Sequence, residues 1–324
     1  MTGPMISDQG AVIRDQGSGS RDQGPVNGPL ITVYRSLIPY VEVTKPATVA
    51  LLVFTALGTM IVAAHGGAPG FAPSAGLWLQ AVAAITLATA GTNAVTCYID
   101  RDMDAVMERT KRRPIPAGRI DPPERALAWG LALLAVSLLL GWFINPLSAL
   151  ILLAGFVDDA VVYNLLTKRR SPLNIILGGF SGGLPALFGW TAVTGGVSLT
   201  PVLIAALVVL WIPNHIWNLA IAYTEDYRRV RVPMLPAVYS LEKTVRCIVS
   251  TVLLMYALSI VLGFVGPFGW VYRGVALVCG LAVCVGNVGL LLRPRRERAW
   301  AMFKLSSPYL AVLFLGMIVD VLGP

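Results

Sequence analysis

A chain of 324 residues, 56% hydrophobic and only 13% charged, with a mean hydropathy of +0.72, excludes an ordinary soluble domain, because no globular surface keeps that much apolar area dry. It reads as an all-α polytopic membrane protein, since backbone inside a bilayer must satisfy its own hydrogen bonds. The net charge of +8 invites nucleic acid. The bases, however, fall in short clusters between apolar runs, as loops of one leaflet do; the expected partner is therefore a lipid bilayer and no nucleic acid.

Residues 1–35 form an expected flexible, low-complexity tail. They repeat Asp-Gln-Gly at Asp8, Asp15 and Asp22 without an apolar seam, so a coiled coil is not indicated. No charged n-region precedes a long apolar run, which argues against a cleaved signal peptide. The rest, 36–324, reads as one membrane domain. Nine apolar runs reach the length of about 20 residues that a bilayer core demands: 46–64, 75–98, 125–143, 147–166, 173–195, 199–223, 244–265, 270–292 and 304–322. Of the 25 Lys and Arg, all but Arg273 fall before run 1 or in and at the edges of the connections after runs 2, 4, 6 and 8. That bias predicts a cytoplasmic N-terminus and an outside C-terminus, in the cell (plasma) membrane. Cys97, Cys247, Cys279 and Cys284 lie in or beside apolar runs without a CxxC pair, and read as small core residues.

In the fifth run, Gly178, Gly179, Gly182 and Gly183 make two small-xxx-small pairs, which suit a close helix crossing or, alternatively, a glycine-lined slot. Pro185 is expected to kink that helix.

Charge is concentrated after run 2. Asp100 and Asp104 stand at i and i+4, on one helical face, with Asp102 elsewhere. Paired carboxylates one turn apart repel unless a cation sits between them, and Mg²⁺ suits such a pair together with phosphate oxygens. The competing reading pairs these acids with neighbouring Arg and Lys in a solvated loop. A second acidic pair, Glu225-Asp226, ends run 6 on the same side, which favours a metal–diphosphate cage. His215, deep in run 6, is either a functional group or a histidine hydrogen-bonded between helices. His65 reads as a loop residue. Asp158 and Asp159 are charges inside run 4; Asp159, at i,i+4 from Tyr163, is the expected inward member.

Three stretches now carry a resemblance: CYIDRDMDAVMERTKRRPIPAG at 97–118, VVYNLLTKRRSPLNIILGGFSGGLPALFGW at 161–190 and WIPNHIWNLAIAYTEDYRRVRVPMLP at 211–236. With the nine runs, they resemble the intramembrane prenyltransferases of the UbiA superfamily, and within it the branch that farnesylates heme. The resemblance implies nine helices around a central cavity, with two acidic motifs holding the Mg²⁺-diphosphate of farnesyl diphosphate. Its first motif, NxxxDxxxD, falls on Asp100 and Asp104, with Thr96 at the leading Asn position and Asn93 nearly a turn earlier. Its second falls on Glu225, Asp226 and Tyr227, and its PPHFW element reads PNHIW here, keeping His215 and Trp217.

The resemblance thus implies metal ligation by Asp100, Asp104, Glu225 and Asp226. Arg113, Lys168 and Arg169 would support the diphosphate, while Asn93, Thr96, Tyr163, Trp217 and Asn218 complete the substrate-binding set. Heme b is then a substrate, with His215 either orienting it or assisting proton transfer, and terminal-oxidase assembly proteins are expected partners. The rival readings are a quinone-precursor or glyceryl-lipid acceptor on the same fold, and a transporter. Against transport, most acids lie at one membrane edge and nine runs do not divide into equal halves.

Overall fold

A computed structural model describes residues 29–67 and 72–323. Residues 1–28, most of the expected tail, lie outside the described residues. Ile38–Pro324 forms a compact unit, in which every regular element among the described residues is helical. Helix α1 spans Pro29–Glu42 and begins inside the stretch read as tail. Lys45 then enters α2 (Pro46–Val62) in a left-handed conformation, φ 54°.

The remaining elements in order are α3 (Ala75–Ile99), α4 (Arg101–Val106), α5 (Glu124–Ile144), α6 (Pro146–Phe156), α7 (Asn174–Leu177), α8 (Phe180–Thr194) and α9 (Leu199–Ala222). They are followed by α10 (Thr224–Arg229), α11 (Leu235–Val238), α12 (Leu241–Val265), α13 (Trp270–Leu292) and α14 (Arg296–Leu322). Nine helical segments among the described residues are long and apolar enough to cross a membrane. They coincide with the nine expected runs within about three residues, except the last. That helix starts at Arg296, well before 304, because its charged first turns continue beyond the apolar core and hydropathy does not count them.

Helix starts follow local chemistry. Ser74, Asn145 and Ser240 each accept a backbone N–H three residues on, at 3.2, 2.8 and 3.3 Å, and so satisfy donors that a first turn leaves free. At the start of α13 a carboxylate from another helix does the same: Asp320 accepts the N–H groups of Val271 and Tyr272, at 3.2 and 2.7 Å.

Run 4 is not uniform: α6 passes into a π-helical stretch over Val157–Thr167. Run 5 is interrupted between α7 and α8 at Gly178-Gly179, ahead of Pro185. The two irregularities fit each other. A Cβ on Gly178 would overlap Tyr163 of the π-helical stretch, and Asp158 accepts the Ser181 N–H at the start of α8, at 2.6 Å. Asp158 therefore serves as the anchor of a broken helix. Glycines also bring backbones together elsewhere. On α3 and α5, a Cβ at Gly91 would lie 2.6 Å from Gly130 O, and Gly189 of α8 meets the backbone of Ala56 in α2. The cysteines are free thiols, Cys97 and Cys284 buried.

Overpacking of this kind costs about 1–3 kcal/mol. Gly189→Ala is expected to lower thermal stability by that order. Gly274→Ala on α13, with nothing near its Cβ position, should leave stability unchanged or raise it by up to about 1 kcal/mol. Thermal unfolding in detergent compares the two.

Candidate active site in the membrane cavity

A cavity of about 610 Å³ opens inside the bundle. Its wall is charged at the end where α3 meets α4 and apolar and aromatic farther in, with Ile151, Leu152, Phe188, Trp211 and Phe303. The charged end carries Lys45, Asp100, Asp104, Arg109, Arg113 and Lys168.

The turn joining α3 to α4 keeps helical pairing, with the Asp104 N–H on Asp100 O at 2.8 Å. The i,i+4 spacing therefore does put both carboxylates on one face. Both are buried, and each meets a cation from a different segment. Lys168, just beyond the π-helical stretch, donates to Asp100 Oδ2 and to Asn164 Oδ1 at 3.0 Å. Arg113 donates to Asp104 Oδ2 at 2.7 Å. Burial works against the Arg113 guanidinium, yet the charges of Asp104 and Asp100 outweigh it and raise its pKa. Asp100 Oδ1 is buried without a hydrogen-bond partner.

The outward residue of the motif behaves as its spacing implies. Asp102 is exposed and takes a forked pair from Arg169, at 2.6 and 2.7 Å. Arg169 thus faces away from the cavity wall, because Asp102 claims both its nitrogens. Hydrogen bonding from Arg169 holds the Asp102 carboxyl below the usual range despite partial desolvation.

Other expected site residues divide the same way. Asn93, Thr96, Tyr163 and His215 line the cavity. Thr96 accepts the Lys45 ammonium at 3.2 Å, and the Lys168 ammonium sits 5.3 Å from the Tyr163 ring centre. Trp217 and Asn218 are buried away from the wall. Asn218 donates to the Asn214 carbonyl at 2.7 Å, because their helical face turns into neighbouring helices rather than the cavity.

Glu225 is exposed and pairs with Arg228 at 2.9 Å and Arg296 at 3.7 Å, which draws it outward. Asp226 is buried; its Oδ2 accepts the Arg109 N–H at 3.4 Å, and Arg229 lies 3.8 Å away. Asp226 is not on the cavity wall, but the residues beside it in space and sequence, Arg109 and Tyr227, are. Among the described residues no three His, Cys, Asp or Glu side chains converge as a ready metal cluster.

His215 is hydrogen-bonded between helices and also faces the cavity. Its Nδ1 lies 2.6 Å from Ser306 Oγ, whose own hydroxyl donates to Phe303 O at 2.6 Å. Nδ1 therefore carries the proton, and Nε2 keeps its lone pair. Trp211 stacks on the ring at 4.6 Å and Phe303 covers it at 4.6 Å. Ser306 and Phe303 carry no motif, so sequence reading passes over them. Lys45 and Arg109 were missed although each had a sequence signal: a lone base just before the first run, and membership of the charged cluster itself.

A helical membrane bundle enclosing a cavity with acids and bases at one end and an aromatic interior defines the class. The UbiA prenyltransferase family matches residues 51–313, and the chain belongs to that family. Protoheme IX farnesyltransferase of Desulforudis audaxviator (strain MP104C) is 58% identical over 283 residues, 87% of this chain and 88% of the relative. The solved structure of digeranylgeranylglyceryl phosphate synthase superposes with a TM-score of 0.73 at 21% identity, over 88% of this chain and 98% of the other. A UbiA homologue from Archaeoglobus fulgidus bound to GPP and Mg²⁺ gives 0.58 at 15% identity, over 86% and 99%. At those identities the likeness to both structures is one of fold.

A carboxyl whose pKa is depressed on folding adds stability above its unfolded value, and loses it as pH falls through the folded one. Arg169→Ala should therefore cost no more than about 0.5 kcal/mol at neutral pH, since the Asp102 pair is exposed. The difference should vanish in acid below the depressed Asp102 pKa; denaturant unfolding at the two pH values measures it.

Proposed function

We propose that this protein transfers the farnesyl group of farnesyl diphosphate to a vinyl group of heme b, giving heme O and diphosphate. The observation that carries the reading is one cavity that joins a charged end to an aromatic interior in which His215 offers a free Nε2. The 58% identical relative, matched along most of both chains, favours heme as the acceptor.

Four cations on the wall, Lys45, Arg109, Arg113 and Lys168, suit a diphosphate better than a neutral ligand. The unpartnered Asp100 Oδ1 is a hard oxygen donor of the type Mg²⁺ takes. A site with few protein carboxylates also fits an ion that completes its shell with phosphate oxygens and water. Asp100 and Asp104 would hold it, with Asp226 as the second motif's contribution, since Asp226 is the buried member of its pair and Glu225 turns outward. When bound, Mg²⁺ neutralises charge that develops on the departing diphosphate. Arg113 and Lys168, already in place, take the remaining charge without reorganisation. The apolar wall keeps water from the allylic cation while the vinyl group attacks. His215 Nε2 orients heme through its iron.

The basic end is proposed to face the cytoplasm of a plasma membrane, by the positive-inside bias, with the N-terminus cytoplasmic and the C-terminus outside. Handover of product to a terminal-oxidase assembly partner belongs to the same reading.

Purified protein with Mg²⁺, farnesyl diphosphate and heme b is expected to yield a more hydrophobic heme on chromatography. Unchanged heme together with prenylation of a phenolic acid or a glyceryl phosphate overturns the acceptor. Substrate flux that survives loss of both Asp100 and Asp104 favours transport instead. Asp100→Asn and Asp104→Asn should each lower the rate of diphosphate release about 10²-fold or more. Glu225→Gln should stay within about twofold, as expected for an exposed pair. His215→Ala should abolish the histidine-ligated absorption spectrum of bound heme b.

A further inference from the structure

Two adjacent aspartates inside one membrane span are costly, and the fold accounts for only one of them. Asp158 anchors the start of α8. Asp159 lines the cavity, and its carboxylate has one protein donor among the described residues, Asn164 Nδ2 on Oδ1 at a long 3.4 Å. No hydrogen bond to its Oδ2 is present among the described residues.

The π-helical pitch sets this arrangement. Over Val157–Thr167 the backbone closes rings of i to i+5, so Asn164 sits beneath Asp159, and its amide also donates to the Asp159 carbonyl at 2.7 Å. The same Asn164 receives the Lys168 ammonium that grips Asp100. A hydrogen-bonded chain thus leads from the diphosphate end to a carboxylate farther in. Asp159 lies about two turns in from the basic end of its helix, and so does His215 on the wall formed by α9. Both therefore stand on the cavity wall inward of the ends of their helices.

We propose that Asp159 is a further catalytic residue, holding and deprotonating the water that completes the reaction. The inference rests on the heme-farnesylation reading above. In that reaction the C1–O bond of farnesyl diphosphate breaks and its electron pair leaves with diphosphate. The terminal vinyl carbon uses its π pair to bond C1, which leaves a cation on the carbon beside the porphyrin ring. A water oxygen then bonds that carbon, its O–H bond breaks, and the proton passes to Asp159 Oδ2. One water is consumed and one proton released per turnover, with no redox change. General-base assistance of this kind is worth about 10²–10⁴ in rate. Without it, the cation loses a proton from its neighbouring carbon instead and gives a farnesyl heme lighter by one water.

The test follows wild type, Asp159→Asn, Asp159→Glu and Asp158→Asn with Mg²⁺, farnesyl diphosphate and heme b in ¹⁸O-labelled water. It measures released diphosphate, and the ratio of hydroxylated to dehydrated farnesyl heme by mass spectrometry. Expected for Asp159→Asn is diphosphate release within about threefold of wild type, with that ratio down about 10²-fold. Asp159→Glu should restore much of the ratio and Asp158→Asn should leave it unaltered. An unchanged ratio in Asp159→Asn, or a ratio that Asp159→Glu fails to restore, overturns the role of Asp159. If wild type releases diphosphate but leaves heme b unmodified, the heme reading itself fails and the inference falls with it. If Asp159→Asn does not fold, Asp159→Ala takes its place, and a wild-type ratio in that variant overturns the proposal.

Discussion

Two carboxylates on one helical turn, each buried and each met by a cation from another segment, are the constraint on which the charged end of this bundle depends. Asp100 and Asp104 repel one another, and burial raises the cost of their charge. Lys168 and Arg113 offset that cost; the Lys168 pair ties the connection after the second span to the end of the fourth, and the Arg113 pair folds that connection back on itself. The chemistry proposed for the cavity uses the same charges, because groups fixed by mutual need in the free protein are already aimed where a diphosphate would bring new negative charge. The outer pair of Asp102 with Arg169 braces the same junction from the solvent side without entering the cavity.

Backbone irregularity serves that arrangement. A regular α-helix through Val157–Thr167 would not place Asn164 under Asp159 and also Lys168 over Asp100. The π-helical stretch does so, and the break at Gly178-Gly179 makes room for it against Tyr163. Helix interruptions inside a bilayer free polar backbone groups that must find partners. Here Asp158 supplies one for Ser181. The aspartate pair that looks expensive in sequence is thereby divided between a structural carboxylate and one that faces the cavity.

Much of the fold was legible in the chain because its causes are local. Hydropathy over about 20 residues marks spans, and the nine expected runs match nine helices among the described residues. The start of α14 was not legible, since Arg296 to Lys304 are helical outside the apolar core. The shared face of Asp100 and Asp104 followed from i,i+4 spacing alone. So did the outward turn of Asp102.

What the sequence by itself determined was the class of chain, the number and approximate limits of its spans, and the acidic face after the second of them. These rest on composition and helical periodicity, which act within a single segment. Only the tertiary structure decided which cations meet which acids, and that Asp226 is buried while Glu225 is drawn outward by Arg228 and Arg296. It also decided that Trp217 and Asn218 pack away from the cavity their neighbour His215 enters, and that Ser306 fixes the His215 tautomer. Those outcomes depend on contacts between residues as far as 117 positions apart. The physical reason is that a charge or lone pair acquires its direction only when a second segment closes against it.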